Sequence, residues 1–312
     1  MNATTATHAK GRRKSQTEIY ESVTQQIVEH LERGVKPWNQ PWSSGHAAGP
    51  VTRPLRHNGE RYRGINVLML WMTAGEQGYD CPLWLTFKQA QQLGGHVKRG
   101  EKGAPVVYAS SFRKTETDDS GEDTTREIPF LKQYVVFNAS QCEGLPERFQ
   151  ETIEPLQTDL EPCEAVAEFV KHTGAIVQEG GSRAFYRMSE DIIGMPAIDR
   201  FHDAESHAAT LAHELTHWTR HPSRLDRSFD QKRFADDGYA MEELVAELSS
   251  AYLCADLQIT PEVREDHAGY LKCWLDVLKA DSKAIFTAAA YAAKAVDYLH
   301  GLQPQVATAV RA

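Results

Sequence analysis

The chain has 312 residues, of which 41% are apolar and 25% charged, and these ordinary globular proportions exclude collagen-like and wholly disordered proteins. Its formal net charge of -9 argues, by itself, against a nucleic-acid partner. No stretch approaches the ~18 consecutive apolar residues of a membrane span, and the polar N-terminus lacks a secretory signal. The five cysteines include no C-x-x-C pair, which favours a reducing compartment. We therefore expect a cytoplasmic protein with no membrane partner.

The charge divides unevenly along the chain. Residues 1–150 contain 19 basic and 16 acidic residues, whereas residues 151–312 contain 15 and 27. The first half is thus mildly basic, with a net charge of +3, and the second is strongly acidic, at -12. This asymmetry suggests two domains with different partners, although a solvated acidic surface would give the same numbers.

Periodicity predicts that the front half is α+β. Apolar residues recur every four positions over residues 16–33, which predicts a helix that Gly34 ends. Thr86 is a suitable N-cap for a second helix. The charged stretch 114–127 contains no apolar residue and is predicted to be a mobile hairpin loop. The other predicted elements are helices over residues 65–74 and 86–93 and strands over residues 105–112 and 130–137.

The back half is predicted to be mostly helical with a small antiparallel sheet, so the fold class is α+β. Two short strands, around residues 175–178 and 184–188, would be joined by a turn at Gly180 and Gly181. The predicted helices cover residues 163–173, 203–220, 239–257, 261–280 and 282–300. The predicted organisation is a disordered basic tail (1–15), a front domain (16–145), a proline-containing linker (146–162) and a back domain (163–312).

The strongest motif is the H-E-x-x-H pattern at residues 213–217. Because residues four apart lie on one face of an α-helix, the imidazoles of His213 and His217 can bind one cation. Glu214 lies about a quarter-turn from His213 and is placed to act as general base toward a water molecule that the cation activates. A helix with two unrelated histidines would carry the same pattern, so a third ligand is needed.

Glu243 is the predicted third ligand, with Glu247 as the acid that orients a ligating histidine. These carboxylates are four residues apart on an apolar helix, where buried acids require a cationic partner. Their two roles could be exchanged, and Glu242 is expected to point elsewhere. Two imidazoles and one carboxylate fit a single Zn²⁺ ion best, with Mn²⁺ or another divalent ion as alternatives. Tyr239, His221 and Arg224 are the candidates for stabilising an oxyanion.

Tryptophans and basic residues interleave in the front half. Single-stranded nucleic acid needs this combination, since bases stack on rings and cations neutralise phosphates. Trp71 and Trp84 lie in apolar runs and are expected in the core. Trp38 and Trp42 lie in a polar, proline-rich loop, where they either pack on the edge of the domain or face a ligand. The interleaved basic residues are Lys36, Arg61, Arg63, Lys88, Lys98, Arg99 and Lys102.

A series of segments in fixed order resembles the ArdC-type antirestriction proteins of conjugative plasmids. The front segments are RGVKPWNQPW, RYRGINVLML, WLTFKQAQQLGGHVKRGEKGAPVVY and VFNASQCEGLP, and the back segments are HELTHWTRHPSRLDR, YAMEELVAEL and DSKAIFTAAAYAAKAVDYL. The resemblance covers about residues 16–301, and the front part also resembles TraC-type plasmid primases. It implies a single-stranded-DNA-binding domain, a zincin-like metallopeptidase domain, and protection of incoming DNA from restriction during conjugation.

By this resemblance, His213, His217 and Glu243 would bind the metal and Glu214 would be the general base. The positions that the resemblance assigns to DNA are Trp38, Arg61, Tyr62, Arg63, Asn66, Thr86, Lys88, Gln89, Lys98, Lys102 and Gln141. A protein substrate, such as a component of a restriction system, is also implied. Two alternatives stay open: a DNA-occluding protein whose metal site is structural or vestigial, and a general cytosolic metallopeptidase that reads protein substrates with its front domain.

Overall fold

The computed structural model describes residues 14–38, 52–117, 123–149, 162–229, 238–259 and 268–304. Most of the predicted tail, most of the predicted linker, Trp42 and the centre of the 114–127 stretch lie outside the described residues. The described helices are α1 (Gln16–Glu32), α2 (Ile65–Gln77), α3 (Phe87–Gln92), α4 (Pro162–Thr173), α5 (Ala204–Trp218), α6 (Gly238–Leu257), α7 (Ala268–Ala280) and α8 (Ala284–Gly301). The α+β class and the predicted helices are confirmed, with ends shifted by a few residues; residues 261–267 of the predicted helix 261–280 lie outside the described residues.

Nine strands accompany these helices in the described residues. They are β1 (Leu55–Arg56), β2 (Leu83–Leu85), β3 (His96–Val97), β4 (Ala104–Thr117), β5 (Asp123–Asn138), β6 (Cys142–Glu143), β7 (Ile176–Glu179), β8 (Phe185–Arg187) and β9 (Ile192–Met195). In the front half, the main sheet has the order β1-β2-β5-β4. The short strands β1 and β2 were not predicted, because two or three residues are too few to show an alternation of apolar and polar residues.

The two long strands β4 and β5 form an antiparallel ribbon, paired from Ala104 with Val136 to Thr117 with Asp123. The prediction of a loop over residues 114–127 is therefore wrong for residues 114–117 and 123–127. Polar cross-strand pairs stabilise this part: the Thr115 and Thr125 hydroxyls lie 3.1 Å apart, and Arg113 Nε lies 3.6 Å from Glu127 Oε1. The side chains described in this outer part are exposed, so it lacks the apolar alternation that predicts a strand.

The small sheet of the back half is mixed rather than antiparallel. Its order is β7-β9-β8, with β7 parallel to β9 and β8 antiparallel to β9. The predicted hairpin of the first two strands does not form, because the third strand lies between them. All four residues of β9 are buried, and such a short apolar run without alternation takes the centre of a sheet but is hard to recognise in sequence.

One hydrophobic cluster extends through both halves of the chain and joins α1, α2 and the root of β4 to helices α5–α8. Trp38 packs edge-on against Trp274, and Trp71 against Tyr252, each with ring centroids 5.8 Å apart. The predictions that Trp71 and Trp84 lie in the core are confirmed. The core thus continues across the two predicted domains, and a smaller cluster lies around β2, α3 and Phe149.

Buried polar contacts reinforce the junction between the halves. Arg53 donates two hydrogen bonds to Asp256 at the end of α6, at 2.7 and 2.5 Å. The Tyr252 hydroxyl donates to the carbonyl oxygen of Gly64 across 3.1 Å. None of the helices in the described residues combines the length and apolar character of a bilayer-spanning segment.

Candidate metal centre

Helix α5 places the H-E-x-x-H residues in the interior. Its start is fixed by Asp203, whose carboxylate accepts a hydrogen bond from the backbone nitrogen of Ser206 at 2.7 Å. The following alanine-rich turns are good helix formers and pack closely. As a result, His213 and Glu214 are both buried, one turn before the C-terminal end of the helix.

Helix α6 packs against α5 and supplies the acidic residues of the site. Glu242, Glu243 and Glu247 are all buried on this otherwise apolar helix. Buried carboxylates are costly unless they are paired with cations or hydrogen-bond donors. Each of the three contacts a histidine of α5.

Three potential ligand groups converge between the helices. His213 Nε2 and His217 Nε2 lie 3.2 Å apart. Each of these nitrogens lies 3.5 Å from a carboxylate oxygen of Glu243. All the ligand atoms lie within 4.8 Å of one another, so a single ion between them could contact all three residues. The structure thus brings together the three residues predicted as ligands.

Each imidazole is held from its far side by a further carboxylate. His213 Nδ1 lies 3.4 Å from Glu247 Oε1, as expected for the predicted orienting acid. His217 Nδ1 lies 3.0 Å from Glu242 Oε1, so the expectation that Glu242 points elsewhere is wrong. Glu242 is adjacent to Glu243 on α6, and its side chain is long enough to contact Nδ1 on the far side of the His217 ring. Sequence spacing did not reveal this contact, because it depends on how α6 is rotated against α5.

Arg227 fixes the Glu242 carboxylate. Its Nε and Nη2 donate to the two carboxylate oxygens at 2.8 Å each, and it also donates to the carbonyl oxygen of Thr216. Burial opposes ionisation of Glu242, but the hydrogen bonds from Arg227 and His217 outweigh it and lower the pKa to about 2. An ionised Glu242 only accepts hydrogen bonds, so Nδ1 of His217 is the donor in this contact.

This hydrogen-bond pattern fits a divalent cation. With Nδ1 of each imidazole facing a carboxylate, the two Nε2 atoms face each other and Glu243, where an ion would replace any proton on them. The surroundings also favour positive charge: burial opposes protonation of His213, but Glu243, Glu247 and Glu214 outweigh it and raise the pKa to about 10. Two imidazole nitrogens and one carboxylate are a donor set that Zn²⁺ and similar ions accept.

Tyr239 lies at the rim of this cluster. Its side chain is 64% exposed, and its hydroxyl shares a 2.9 Å hydrogen bond with that of Tyr270. Partial desolvation, the Tyr270 hydrogen bond and the negative charge of Glu243 raise the pKa of Tyr239 above its ordinary value. The hydroxyl therefore keeps its proton at neutral pH and can donate a hydrogen bond.

The other two oxyanion candidates are engaged elsewhere. Arg224 donates to Asp191 through Nη1 at 2.9 Å and to the carbonyl oxygen of Trp218 through Nε at 2.6 Å. Its guanidinium lies over the Trp218 ring, 3.8 Å from the centroid, which makes it a link between α5 and the small sheet. His221 Nδ1 lies 2.7 Å from Ser223 Oγ in the turn after α5.

The aromatic residues predicted to contact DNA are in the core. Trp38 is 2% exposed and packs against Trp274, and Tyr62 is also buried. Neither presents a free ring face to a base, so neither is placed for direct stacking. The polar loop around Trp38 left packing and ligand contact both open in the sequence, because its packing partner lies more than 200 residues further along the chain.

Several polar residues predicted to contact DNA hold the backbone instead. Asn66 bonds to both the nitrogen and the carbonyl oxygen of Val107, at 2.8 Å each. Thr86 caps α3, and Gln89 completes the capping box by accepting from the Thr86 nitrogen at 2.8 Å. The buried Gln141 similarly accepts from the nitrogen of Asn138. Each of these four side chains therefore has a structural role in the front half, and their contact with DNA stays a prediction.

The charged candidates remain at the surface. Lys88 and Lys102 are exposed, and Lys98 Nζ donates to the carbonyl oxygen of Ser140 at 3.0 Å. Arg61 and Arg63 line a cavity of about 830 Å³ at the junction of the two halves. The residues that share this cavity include Arg53, Arg56, Asp256, Asp297 and His300.

The two arginines of the cavity pair with acidic residues of the back half. Arg61 Nε lies 3.1 Å from Asp256 Oδ1, and Arg63 pairs with Asp297. Both arginine side chains are about half exposed. They are therefore accessible from solvent while they are paired.

Known proteins resemble this chain over both halves. Residues 17–137 match the N-terminal domain of the anti-restriction factor ArdC, and residues 164–291 match a zincin-like metallopeptidase family. An uncharacterized protein, y4eC, of Sinorhizobium fredii is 38% identical over 92% of this chain and 93% of its own length. DNA primase TraC of Escherichia coli is also 38% identical, over 90% of this chain but only 27% of the primase.

Solved structures give the same relationship. The metal-free crystal structure of the antirestriction protein ArdC from plasmid R388 superposes with a TM-score of 0.76 at 44% identity, covering 91% of this chain and 97% of that one. The Mn(II)-bound crystal structure of the same protein superposes with a TM-score of 0.71 at 42% identity, with the same coverage. The chain therefore belongs to the ArdC family of antirestriction proteins, with an ArdC-type N-terminal region followed by a zincin-like metallopeptidase domain.

Proposed function

We propose that this chain is an antirestriction protein that hydrolyses peptide bonds at a divalent-metal centre and binds single-stranded DNA through its front half. The observation that carries the peptidase proposal is the convergence of His213, His217 and Glu243. Their ligand atoms lie within 4.8 Å of one another, and both imidazoles are oriented by further carboxylates. Such support is characteristic of histidines that bind metal.

His213, His217 and Glu243 would hold the ion. The donor set favours Zn²⁺, whereas the similar ArdC protein of plasmid R388 has been crystallised with Mn(II) bound, so both ions belong in any test. When bound, the ion would act as a Lewis acid that makes water a better nucleophile and polarises a peptide carbonyl.

The remaining steps belong to side chains of this chain. Glu214 is buried directly after His213, where its carboxylate can take a proton from the attacking water and deliver it to the leaving amine nitrogen. Tyr239, which keeps its proton, can donate a hydrogen bond to the carbonyl oxygen as negative charge develops there. Glu242 and Glu247 hold the two imidazoles in place.

The peptidase proposal is tested with Glu214→Gln. This variant keeps the shape of the side chain and all three ligands, so we expect it to bind metal as the wild type does while losing hydrolysis of an unfolded protein substrate such as casein. Metal content and cleavage are measured on the same samples, with and without single-stranded DNA. Cleavage at the wild-type rate by Glu214→Gln would overturn the mechanism.

The DNA proposal depends on the surface cations. The proposed phosphate contacts on the front surface are Lys88, Lys98 and Lys102. At the cavity they are Arg61 and Arg63. The presence of a related segment in proteins named DNA primase supports a nucleic-acid role. Binding of a labelled single-stranded oligonucleotide should weaken steeply as salt rises. A folded wild-type protein that binds no oligonucleotide at low salt would contradict this proposal.

The variant Glu214→Gln also separates the two ways in which the protein could protect DNA, by hydrolysis of a protein or by covering the strand. If hydrolysis is required, plasmid transfer into a restricting host falls with Glu214→Gln. If the protein acts by covering the strand, protection is unchanged and depends on the arginine and lysine residues instead. A transfer assay into restricting and non-restricting recipients, run in parallel, distinguishes these outcomes.

A further inference from the structure

Base stacking requires exposed aromatic rings, and the front tryptophans in the described residues do not provide them. Trp38, Trp71 and Trp84 are all buried. The β4–β5 ribbon, in contrast, has aromatic side chains that are about half exposed. They are Tyr108 (53%), Phe112 (49%) and Tyr134 (48%), with the half-buried Phe130 between them.

Strand register places these rings on one face of the ribbon. Tyr108 is opposite Lys132, and Phe130 is opposite Ser110, so the aromatic positions of both strands have the same orientation. The Tyr108 centroid lies 6.1 Å from that of Phe130 and 6.3 Å from that of Tyr134. Phe112 lies 6.2 Å from Phe130 on the other side. The four rings therefore form a continuous row, which we name the aromatic face.

The charge on this face suits a polyanion. Lys132 Nζ lies 4.7 Å from the Phe130 ring centroid, and the exposed Arg126 lies further along β5 at a position of the same orientation. The nearby carboxylate, Glu127, belongs to the opposite face, where it pairs with Arg113. Over residues 106–112 and 126–134, the positions that share the aromatic face include no acidic residue.

Packing within the protein does not account for the row. The ribbon meets the core at its root through both orientations, with Val106 and Val136 buried on one side and Val107 on the other, whereas the four rings beyond the root stay exposed or half-buried. A contiguous exposed apolar surface with cations beside it marks an interaction site. Rings combined with lysine and arginine are the combination that single-stranded nucleic acid uses, since bases stack and phosphates need cations.

We propose that the aromatic face is the stacking platform for the bases of single-stranded DNA, with Lys132 and Arg126 contacting its phosphates. This inference rests on the proposed function, because it locates base contacts for the DNA binding proposed above. It differs from the sequence-based prediction, which assigned aromatic contacts to Trp38 and Tyr62. It also gives the long ribbon a function, whereas the polar cross-strand pairs account only for its stability.

Single-residue variants binding to two oligonucleotides test the proposal. One oligonucleotide is oligo(dT), and the other has the same length and phosphate number but abasic sugars. We expect Tyr108→Ala and Tyr134→Ala each to weaken oligo(dT) binding about 5- to 150-fold, and to leave binding of the abasic strand nearly unchanged. Tyr108→Phe, which keeps the ring, should bind oligo(dT) as the wild type does.

Matched controls separate stacking from general damage to the ribbon. Val135 is similarly exposed but faces the other way, so Val135→Ala should bind both strands normally. Phe112→Ala, near the outer end of the row, provides a further test should Tyr108→Ala fold poorly by circular dichroism. Lys132→Gln should reduce the salt dependence of binding, by about 0.7 in the slope of log affinity against log salt, whereas the ring variants should leave it unchanged.

The outcomes distinguish failure of this inference from failure of the proposed function. If the wild type binds oligo(dT) and the ring variants bind equally well, only the stacking platform is overturned. If the wild type binds neither strand, DNA binding itself is overturned along with it. Should the ring variants instead change self-association in sedimentation without changing DNA affinity, the aromatic face contacts a second copy and the proposal is wrong.

Discussion

The His217 imidazole donates from Nδ1 to Glu242 Oε1 across 3.0 Å, and the same carboxylate accepts two hydrogen bonds from Arg227. On the other side of the cluster, His213 Nδ1 faces Glu247. Each histidine thus has its own orienting acid, and both acids come from α6. This arrangement fixes the orientation of the two imidazole rings before any ion arrives, which reduces the reorganisation that metal binding requires.

Removing the charge of Glu242 should weaken metal binding without removing a ligand. We expect Glu242→Gln to bind Zn²⁺ or Mn²⁺ about 10- to 100-fold more weakly than the wild type, because His217 loses a charged acceptor. Competition with a chelator of known affinity measures the change. Glu168, an exposed residue that pairs with Lys171, provides the control Glu168→Gln. Equal affinity in wild type and Glu242→Gln would show that this contact does not support the site.

Removing Arg227 should destabilise the fold. Its guanidinium is fully buried beside Glu242, so Arg227→Met leaves a buried carboxylate without its main partner, at a cost of about 3–5 kcal/mol. Denaturant unfolding measures the loss. The exposed pair of Arg187 and Glu190 provides the matched control: Arg187→Met should cost no more than about 1 kcal/mol. A similar small cost for both variants would contradict the structural role of Arg227.

The protonation of His213 makes stability depend on pH when metal is removed. Its pKa in the folded chain is raised from 6.5 to about 10, because the neighbouring glutamates outweigh burial. A raised pKa stabilises the fold below pH 6.5, and this contribution is lost as pH rises toward 10. We expect the free energy of unfolding of the chelator-treated protein to fall over this range. The free energy of unfolding should fall less in Glu247→Gln, which lacks one of the carboxylates that raise the pKa of His213. A free energy of unfolding that does not change with pH would contradict this explanation.

Asp256 should couple the two halves of the chain. The buried Arg53 and the half-exposed Arg61 both pair with it, and so does His300. Burial opposes its ionisation, but these partners outweigh burial and lower the pKa of Asp256. Its stabilising contribution is thus present above the ordinary aspartate pKa and lost as pH falls below it.

The test of this junction is the variant Asp256→Asn. We expect it to lower the unfolding midpoint of the whole chain in one transition, because the hydrophobic core continues across both halves. Fluorescence of the buried tryptophans and far-ultraviolet circular dichroism should report the same midpoint. Two separate transitions, with only one shifted, would indicate that the halves fold independently.

The sequence was informative where chemistry requires a local pattern. The spacing of His213 and His217 on one helix predicted the two facing imidazoles, and the spacing of Glu243 and Glu247 predicted a ligand and an orienting acid. The role of Glu242 was missed, because it depends on Arg227, which approaches from a separate loop. Local spacing along one helix contains no information about such a contact.

Aromatic residues were the least predictable part of the chain. Trp38 was assigned to DNA by the family resemblance, whereas its polar surroundings left packing and ligand contact both open, and it packs against Trp274 of α7. The aromatic face of the ribbon was not recognised, because a pattern of alternating rings also describes a strand with one buried side. Only the position of the ribbon relative to the core distinguishes the two.

The most direct test of the metal centre is the number of ions bound per chain. Protein stripped with chelator, reloaded with Zn²⁺ or Mn²⁺ and freed of excess metal is measured by elemental analysis. The wild type should retain one ion per chain, His217→Ala should retain almost none, and His221→Ala, altered just beyond the same helix, should match the wild type. Equal metal content in His217→Ala and wild type, or no retained metal in the wild type, would contradict the assignment of His213, His217 and Glu243 as ligands.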